Sequence, residues 1–86
     1  MGFSVVWSNQ AYEELSKFDV KTKTRIVDKV DFYLSDNPVR LSKPLKGLFN
    51  GLYSYRFGKI RIVFALNERD NTITVTRVAF RKNVYE

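Results

Sequence analysis

An α+β fold, built as an N-terminal strand, an antiparallel helical hairpin and a three-stranded antiparallel meander, follows from three features of the 86-residue chain. Apolar residues alternate over positions 3–7, recur at helical spacing through positions 11–34, and alternate again in three runs between 52 and 80. A hairpin with one apolar face must bury it on something, and a four-stranded sheet is the natural partner. A chain this short makes one domain, residues 1–86.

The first strand places Phe3, Val5 and Trp7 on one face. Ser8 then offers a hydroxyl as an N-cap, and Ala11, Leu15 and Phe18 line one side of a short amphipathic helix. Asp19 caps a second helix from about Val20 to Leu34, whose apolar stripe is Ile26, Val27, Val30, Tyr33 and Leu34. Ser35-Asp36-Asn37-Pro38 stops it, because the residue before a proline avoids helical backbone angles. Turn residues at Pro44, Gly47, Asn50 and Gly51 make Val39 to Gly51 a loop.

Three strands follow, at Leu52–Phe57, Ile60–Asn67 and Thr72–Phe80, joined by a tight turn at Gly58-Lys59 and a polar one at residues 68–71. In the second of them Ile60, Ile62, Phe64 and Leu66 face the core, so Arg61 points away from it. Tyr53, Tyr55 and Phe57 form the core side of their strand, opposite Ser54 and Arg56. In the last strand Ile73 and Val75 share a parity that Val78 and Phe80 lack, which implies either a bulge or a strand covered on both faces.

Composition excludes several chemistries. With no cysteine and no histidine there is no disulfide, no Cys/His zinc site, and no histidine base or cysteine nucleophile. Glu13/Glu14, Asp28/Asp31 and Glu68/Asp70 read as helix-face or turn charges, so no metal cofactor is expected, and the glycines at 47, 51 and 58 do not form a phosphate-binding loop. No apolar run reaches about 18 residues, and residues 1–7 lack a basic flank, so a cytoplasmic protein with no membrane partner is expected.

The net charge of +6 is uneven. Residues 1–39 hold five Lys/Arg against six Asp/Glu, and residues 40–86 hold ten against three, giving −1 and +7. A basic excess confined to the strand-rich half points to a polyanion. Arg56 and Arg61 flank the Gly58 turn, and Arg77, Arg81 and Lys82 lie on or beyond the last strand. Several guanidiniums side by side can bind a phosphate and stabilise charge that builds on it during phosphoryl transfer. Tyr85 adds a hydroxyl at the edge of that group, and Arg40, Lys43 and Lys46 add cations in the loop.

The segment Leu45-Lys46-Gly47, the pattern Tyr53-x-x-Arg56-x-Gly58-x-x-Arg61 and the ending Arg81-Lys82-Asn83-Val84-Tyr85 resemble the RelE/ParE toxin superfamily over nearly the whole chain. The resemblance implies the toxin of a type II toxin–antitoxin system, an endoribonuclease that cleaves mRNA in the ribosomal A site without a metal. The ribose 2′-hydroxyl attacks the neighbouring phosphate and leaves a 2′,3′-cyclic phosphate. The family's catalytic positions map onto Arg56, Arg61, Arg81 and Tyr85. Arg61 and Arg81 stabilise the phosphorane, Arg56 orients the phosphate, and Tyr85 stacks or relays a proton. Lys46, Lys59, Arg77, Lys82 and Ser54 are the expected RNA contacts. Ser54 stands where many relatives carry a basic residue, and Phe80 where many carry histidine. An arginine with a pKa above about 12 is a poor general base, so no base is assigned.

The partners implied are a RelB-like antitoxin, the ribosome with its mRNA, and operator DNA through the antitoxin complex. Two alternatives go with the resemblance. One is a ParE-like poison of DNA gyrase, and the other a catalytically weak relative that binds an antitoxin and acts in operon autoregulation.

Overall fold

The computed structural model describes residues 2–80. Strand β1 (Ser4–Trp7) leads into helix α1 (Asn9–Ser16) and helix α2 (Val20–Lys29), which runs on through one wide π turn at Val30–Leu34. A short helix α3 (Pro38–Leu41), a two-residue strand β2 (Lys43–Pro44) and a 3-10 turn (Gly47–Phe49) precede β3 (Leu52–Phe57), β4 (Ile60–Asn67) and β5 (Thr72–Phe80). The strands form one sheet in the order β1-β5-β4-β3-β2. β1 runs parallel to β5, and every other pairing is antiparallel.

The sheet is thus five-stranded among the described residues, one more than the sequence implies. The extra strand and α3 both lie in the stretch read as a loop. Two residues are too few for alternation to show, so only pairing with Tyr53 and Ser54 reveals β2. Pro38 occupies the first turn of α3, where its fixed φ and missing N–H suit a helix start.

Both helix caps follow the sequence. Ser8 Oγ accepts a hydrogen bond from the Ala11 N–H at 3.1 Å, and Asp19 Oδ1 accepts one from the Thr22 N–H at 3.0 Å. Phe18 falls outside α1, in the link between the helices, yet still packs on the core. Ala11, Leu15, Ile26, Val30 and Leu34 meet Ile60, Ile62, Phe64, Ile73, Val75 and Val78 in a single core on one face of the sheet. Each large side chain removed from water there contributes roughly 1.5–3 kcal/mol. Tyr53 stacks on Phe64 with ring centroids 5.5 Å apart, and Tyr55 and Phe57 pack on the same side, as the alternation requires. Tyr33, expected in the apolar stripe, is instead 55% exposed. The π turn carries the Ser35 N–H to the Val30 carbonyl, and the added residue rotates Tyr33 outward while Val30 and Leu34 stay inside.

The parity break in β5 is a bulge. Val63 faces Arg77 and the next residue, Phe64, faces Val75, so Thr76 is the extra residue. It is pinned on both sides: the Thr76 hydroxyl donates to the Val63 carbonyl at 3.1 Å, and the Ser8 hydroxyl donates to the Thr76 carbonyl at 3.4 Å. β1 ends at Trp7, opposite Val75, which leaves the remainder of β5 as a sheet edge. Helix α1 closes that edge. The Ser8 N–H donates to the Val75 carbonyl, and Glu14 accepts the Val78 N–H at Oε1 (2.8 Å) and the Arg77 Nε–H at Oε2 (2.9 Å).

Two consequences can be measured. Glu14→Ala removes the acceptor of the Val78 N–H and the carboxylate that faces Arg77, so chemical denaturation should show a loss of about 1–3 kcal/mol. Glu14→Gln retains a carbonyl acceptor and should lose clearly less. Asp19 is held below its ordinary value of 3.8 chiefly by its hydrogen bonds from Thr22. A carboxylate with a lowered folded pKa stabilises the fold above its unfolded value and ceases to do so as pH falls through the folded one. Thermal melts of Asp19→Asn should therefore match wild type in slope near neutrality but fall less steeply with pH below 3.8.

Candidate active site

The two-residue Gly58-Lys59 connection fixes the geometry of the opposite sheet face. Gly58 has φ +58°, a backbone state that side chains disfavour, while Lys59 stays out of the left-handed region, as in a type II′ turn. Phe57 and Ile60 close the hairpin, and the next pair is Arg56 opposite Arg61. Such a pair, one step in from a two-residue turn, lacks mutual backbone hydrogen bonds, and its Cβ atoms approach to about 4.5–5.5 Å. Two like charges directly opposite cost the sheet roughly 0.2–1 kcal/mol.

Around them the register sets Ser54 two residues back on the same face as Arg56, opposite Val63 on one side and Lys43 on the other. Ala79 lies opposite Arg61 on β5. None of these neighbours is acidic. Arg56 is exposed, Arg61 is half-buried, and Ser54 is 8% exposed. Lys59 sits exposed at the tip, within three residues of both arginines. Lys46 is elsewhere: the Leu45 N–H donates to the Leu52 carbonyl, which sets this segment about 13 Å from Arg56 along β3.

Of the site residues named from the sequence, the register therefore brings together Arg56, Arg61 and Ser54, while Lys59 at the hairpin tip lines the cleft on the helix side with Phe18 and Arg25. Arg77 belongs to the closure of the β5 edge by Glu14 and is only 26% exposed. Arg81, Lys82 and Tyr85 lie outside the described residues. Lys43, read from the sequence as a loop cation, comes beside Ser54 only through the short strand β2, and Glu14, read as a helix-face charge, meets Arg77 across 63 residues of sequence, so neither placement carries a local signal.

The arrangement suits a phosphate. Arginines paired on adjacent strands are the residue type whose planar donors match phosphate oxygens, and Ser54, 8% exposed, lies two residues from Arg56 on the same face. No aromatic ring of β3 takes part, since Tyr53, Tyr55 and Phe57 face the core. Burial, with Tyr33 adding to it, raises the Tyr55 hydroxyl above its ordinary 10.0, so it stays protonated on the far side of the sheet.

Comparison with known proteins agrees with this architecture. The sequence profile of the ParE toxin of type II toxin–antitoxin systems matches residues 5–85. Toxin RelE of Mycobacterium tuberculosis is 30% identical over 83 residues, covering 96% of this chain and 86% of its own, and Toxin RelG of the same organism is 27% identical over 85 residues, covering 99% and 98%. The crystal structure of the toxin–antitoxin complex RelBE2 from M. tuberculosis superposes with a TM-score of 0.91 at 25% identity, covering 96% of this chain and 95% of that one. With a matched profile across the sheet, the helices and the arginine hairpin, the chain belongs to the ParE toxin family of type II toxin–antitoxin systems, within the RelE/ParE superfamily.

Proposed function

We propose that this toxin is a ribosome-dependent, metal-independent endoribonuclease that cuts mRNA in the A site, and that a RelB-like antitoxin holds it inactive. The observation that carries the reading is the register pairing of Arg56 with Arg61 on the sheet face away from the helical core, with Ser54 on the same face. The likeness to Toxin RelE over 96% of this chain supports it. In this scheme Arg61, with Arg81 two residues beyond Ala79 in the sequence, faces the scissile phosphate. Together they stabilise the charge that grows as the ribose 2′-oxygen attacks and the 5′-oxygen leaves. Arg56 orients the phosphate, Lys59 and Ser54 contact the strand, and Tyr85 stacks on a base or relays the proton. Lys46 and Lys82 are contacts to RNA backbone, which makes binding weaken with salt.

The 2′-hydroxyl loses its proton as it attacks and the departing 5′-oxygen gains one, and the arginines contribute by alignment and charge stabilisation. The ribosome supplies the substrate already held. Operator DNA is bound only through the antitoxin complex, and the work is done in the cytoplasm.

Expression of the chain alone, followed by mapping of mRNA 5′ ends, tests this. In-frame cuts within codons should accumulate, and Arg61→Ala should reduce them by about 100-fold or more while the protein stays folded. Intact mRNA accompanied by DNA damage would point to gyrase instead. Harmless expression of the folded wild type would indicate a relative that acts only through its antitoxin.

A further inference from the structure

Strand β2 consists of Lys43 and Pro44, both exposed, so it adds nothing to the core. What it does is fix the place of one cation. Lys43 pairs with Ser54, and residues directly opposite in a sheet project to the same face, which here is the face of Arg56 and Arg61. Arg56 lies two residues further along β3, the diagonal neighbour of Lys43, and such neighbours stand about 7–8 Å apart, within reach of long side chains. The other cations of this segment are placed differently. Arg40 belongs to α3, and Lys46 follows Leu45, whose N–H donates to the Leu52 carbonyl away from Arg56.

The corner where Lys43 meets Arg56 is arranged for an anion. No acidic residue occurs between Asp36 and Glu68, the span that holds both. Among the described residues neither Lys43 nor Arg56 makes an ion pair, and both are exposed. Because β2 begins at Lys43, β3 has no strand neighbour on that flank at Arg56 among the described residues. The Arg56–Arg61 pair lacks mutual backbone hydrogen bonds, so the Arg56 N–H points to this flank. A backbone N–H between two exposed cations is a common way to hold a phosphate. The row also gives the direction of a chain. A phosphodiester strand repeats one charge per nucleotide, and the cations step from Arg61 to Arg56 to Lys43 across three adjacent strands.

We propose that Lys43 holds the phosphate next to the one held by Arg56 and Arg61, so that β2 extends the site by one nucleotide of the RNA strand. The proposal rests on the RNA-cleaving reading above. In this role Lys43 is a binding residue that fixes where the strand lies, and no bond is made or broken at it. A contact of this kind stabilises bound substrate and transition state alike, so its loss weakens binding and spares the rate at saturation. It also explains why a third cation is kept near two that already repel each other.

The test uses the full chain and ribosomes programmed with an mRNA whose A-site codon is 2′-deoxy, which removes the attacking hydroxyl, beside an unmodified mRNA that reports cleavage. Lys43→Gln should weaken binding to the 2′-deoxy complex about tenfold. It should also flatten the dependence of log affinity on log salt by about 0.7, the value for one phosphate of a single strand. Its melting temperature should equal or exceed that of wild type, and unmodified mRNA should be cut at the wild-type rate at saturating toxin. Lys43→Arg keeps the charge and should bind within about threefold of wild type. Arg69→Gln removes a charge from the β4–β5 turn, at the far end of β4 from Arg61, and should bind as wild type does. Wild-type affinity and salt slope in Lys43→Gln would overturn the proposal, as would an equal loss in Lys43→Arg or Arg69→Gln. A wild type that binds the 2′-deoxy complex but leaves unmodified mRNA intact would overturn the cleavage reading alone, and the Lys43 comparison would still decide the contact. A wild type that binds no programmed ribosome would overturn both.

Discussion

A single extra residue in β5 is the constraint on which both faces of this sheet depend. Strict alternation from Ile73 and Val75 would drive Arg77 into the core and turn Val78 out of it. The bulge at Thr76 exchanges those two positions, so that β5 is apolar toward the helices on both sides of the irregularity. A bulge sacrifices regular pairing, and here it is secured by the Thr76 hydroxyl on Val63 and by Ser8 on the Thr76 carbonyl. Ser8 is also the N-cap of α1. The strand irregularity and the start of the helical hairpin are thus parts of one hydrogen-bonded junction.

From that junction the rest of the edge follows. A short β1 leaves the second half of β5 without a strand neighbour on the side away from β4, a state that exposes backbone donors and invites pairing with other chains. Helix α1 lies along the gap and Glu14 takes both the Val78 N–H and the Arg77 guanidinium. One basic residue of the strand-rich half is thereby engaged by the helix, and the arginine pair across the Gly58 turn lies on the sheet face away from the helical core. The face that bears this pair is partly covered, since Ser54 and Val63 on it are buried, Arg61 is half-buried and Arg56 is exposed.

Much of this was legible in the sequence. The period-2 runs located β1, β3, β4 and β5, the caps Ser8 and Asp19 located both helix starts, and the Tyr53-to-Arg61 pattern located the arginine hairpin. Parity alone places Arg61 away from the core, because side-chain direction in a strand is fixed by backbone geometry. What sequence could not supply was set by contacts distant along the chain. The break at Val78 could have meant a bulge or a doubly covered strand, and only pairing with β4 decides. β2 is too short to leave a pattern. Glu14 has the look of any helix-face carboxylate, and Tyr33 lies outside because the wide turn after Lys29 shifts the helical phase. Arg77 was grouped with the other arginines by proximity in the chain, whereas its guanidinium is engaged by α1.

The central claim is that Arg56 and Arg61 are held opposite each other for phosphate recognition, against their mutual repulsion. The most direct measurement is the stability and the toxicity of Arg56→Gln, determined together. The account predicts a protein more stable than wild type by about 0.2–1 kcal/mol at low salt, a gain that shrinks as salt rises, and a loss of growth arrest of at least tenfold. A variant that is less stable than wild type and equally toxic would show instead that Arg56 serves the fold, and would contradict the account.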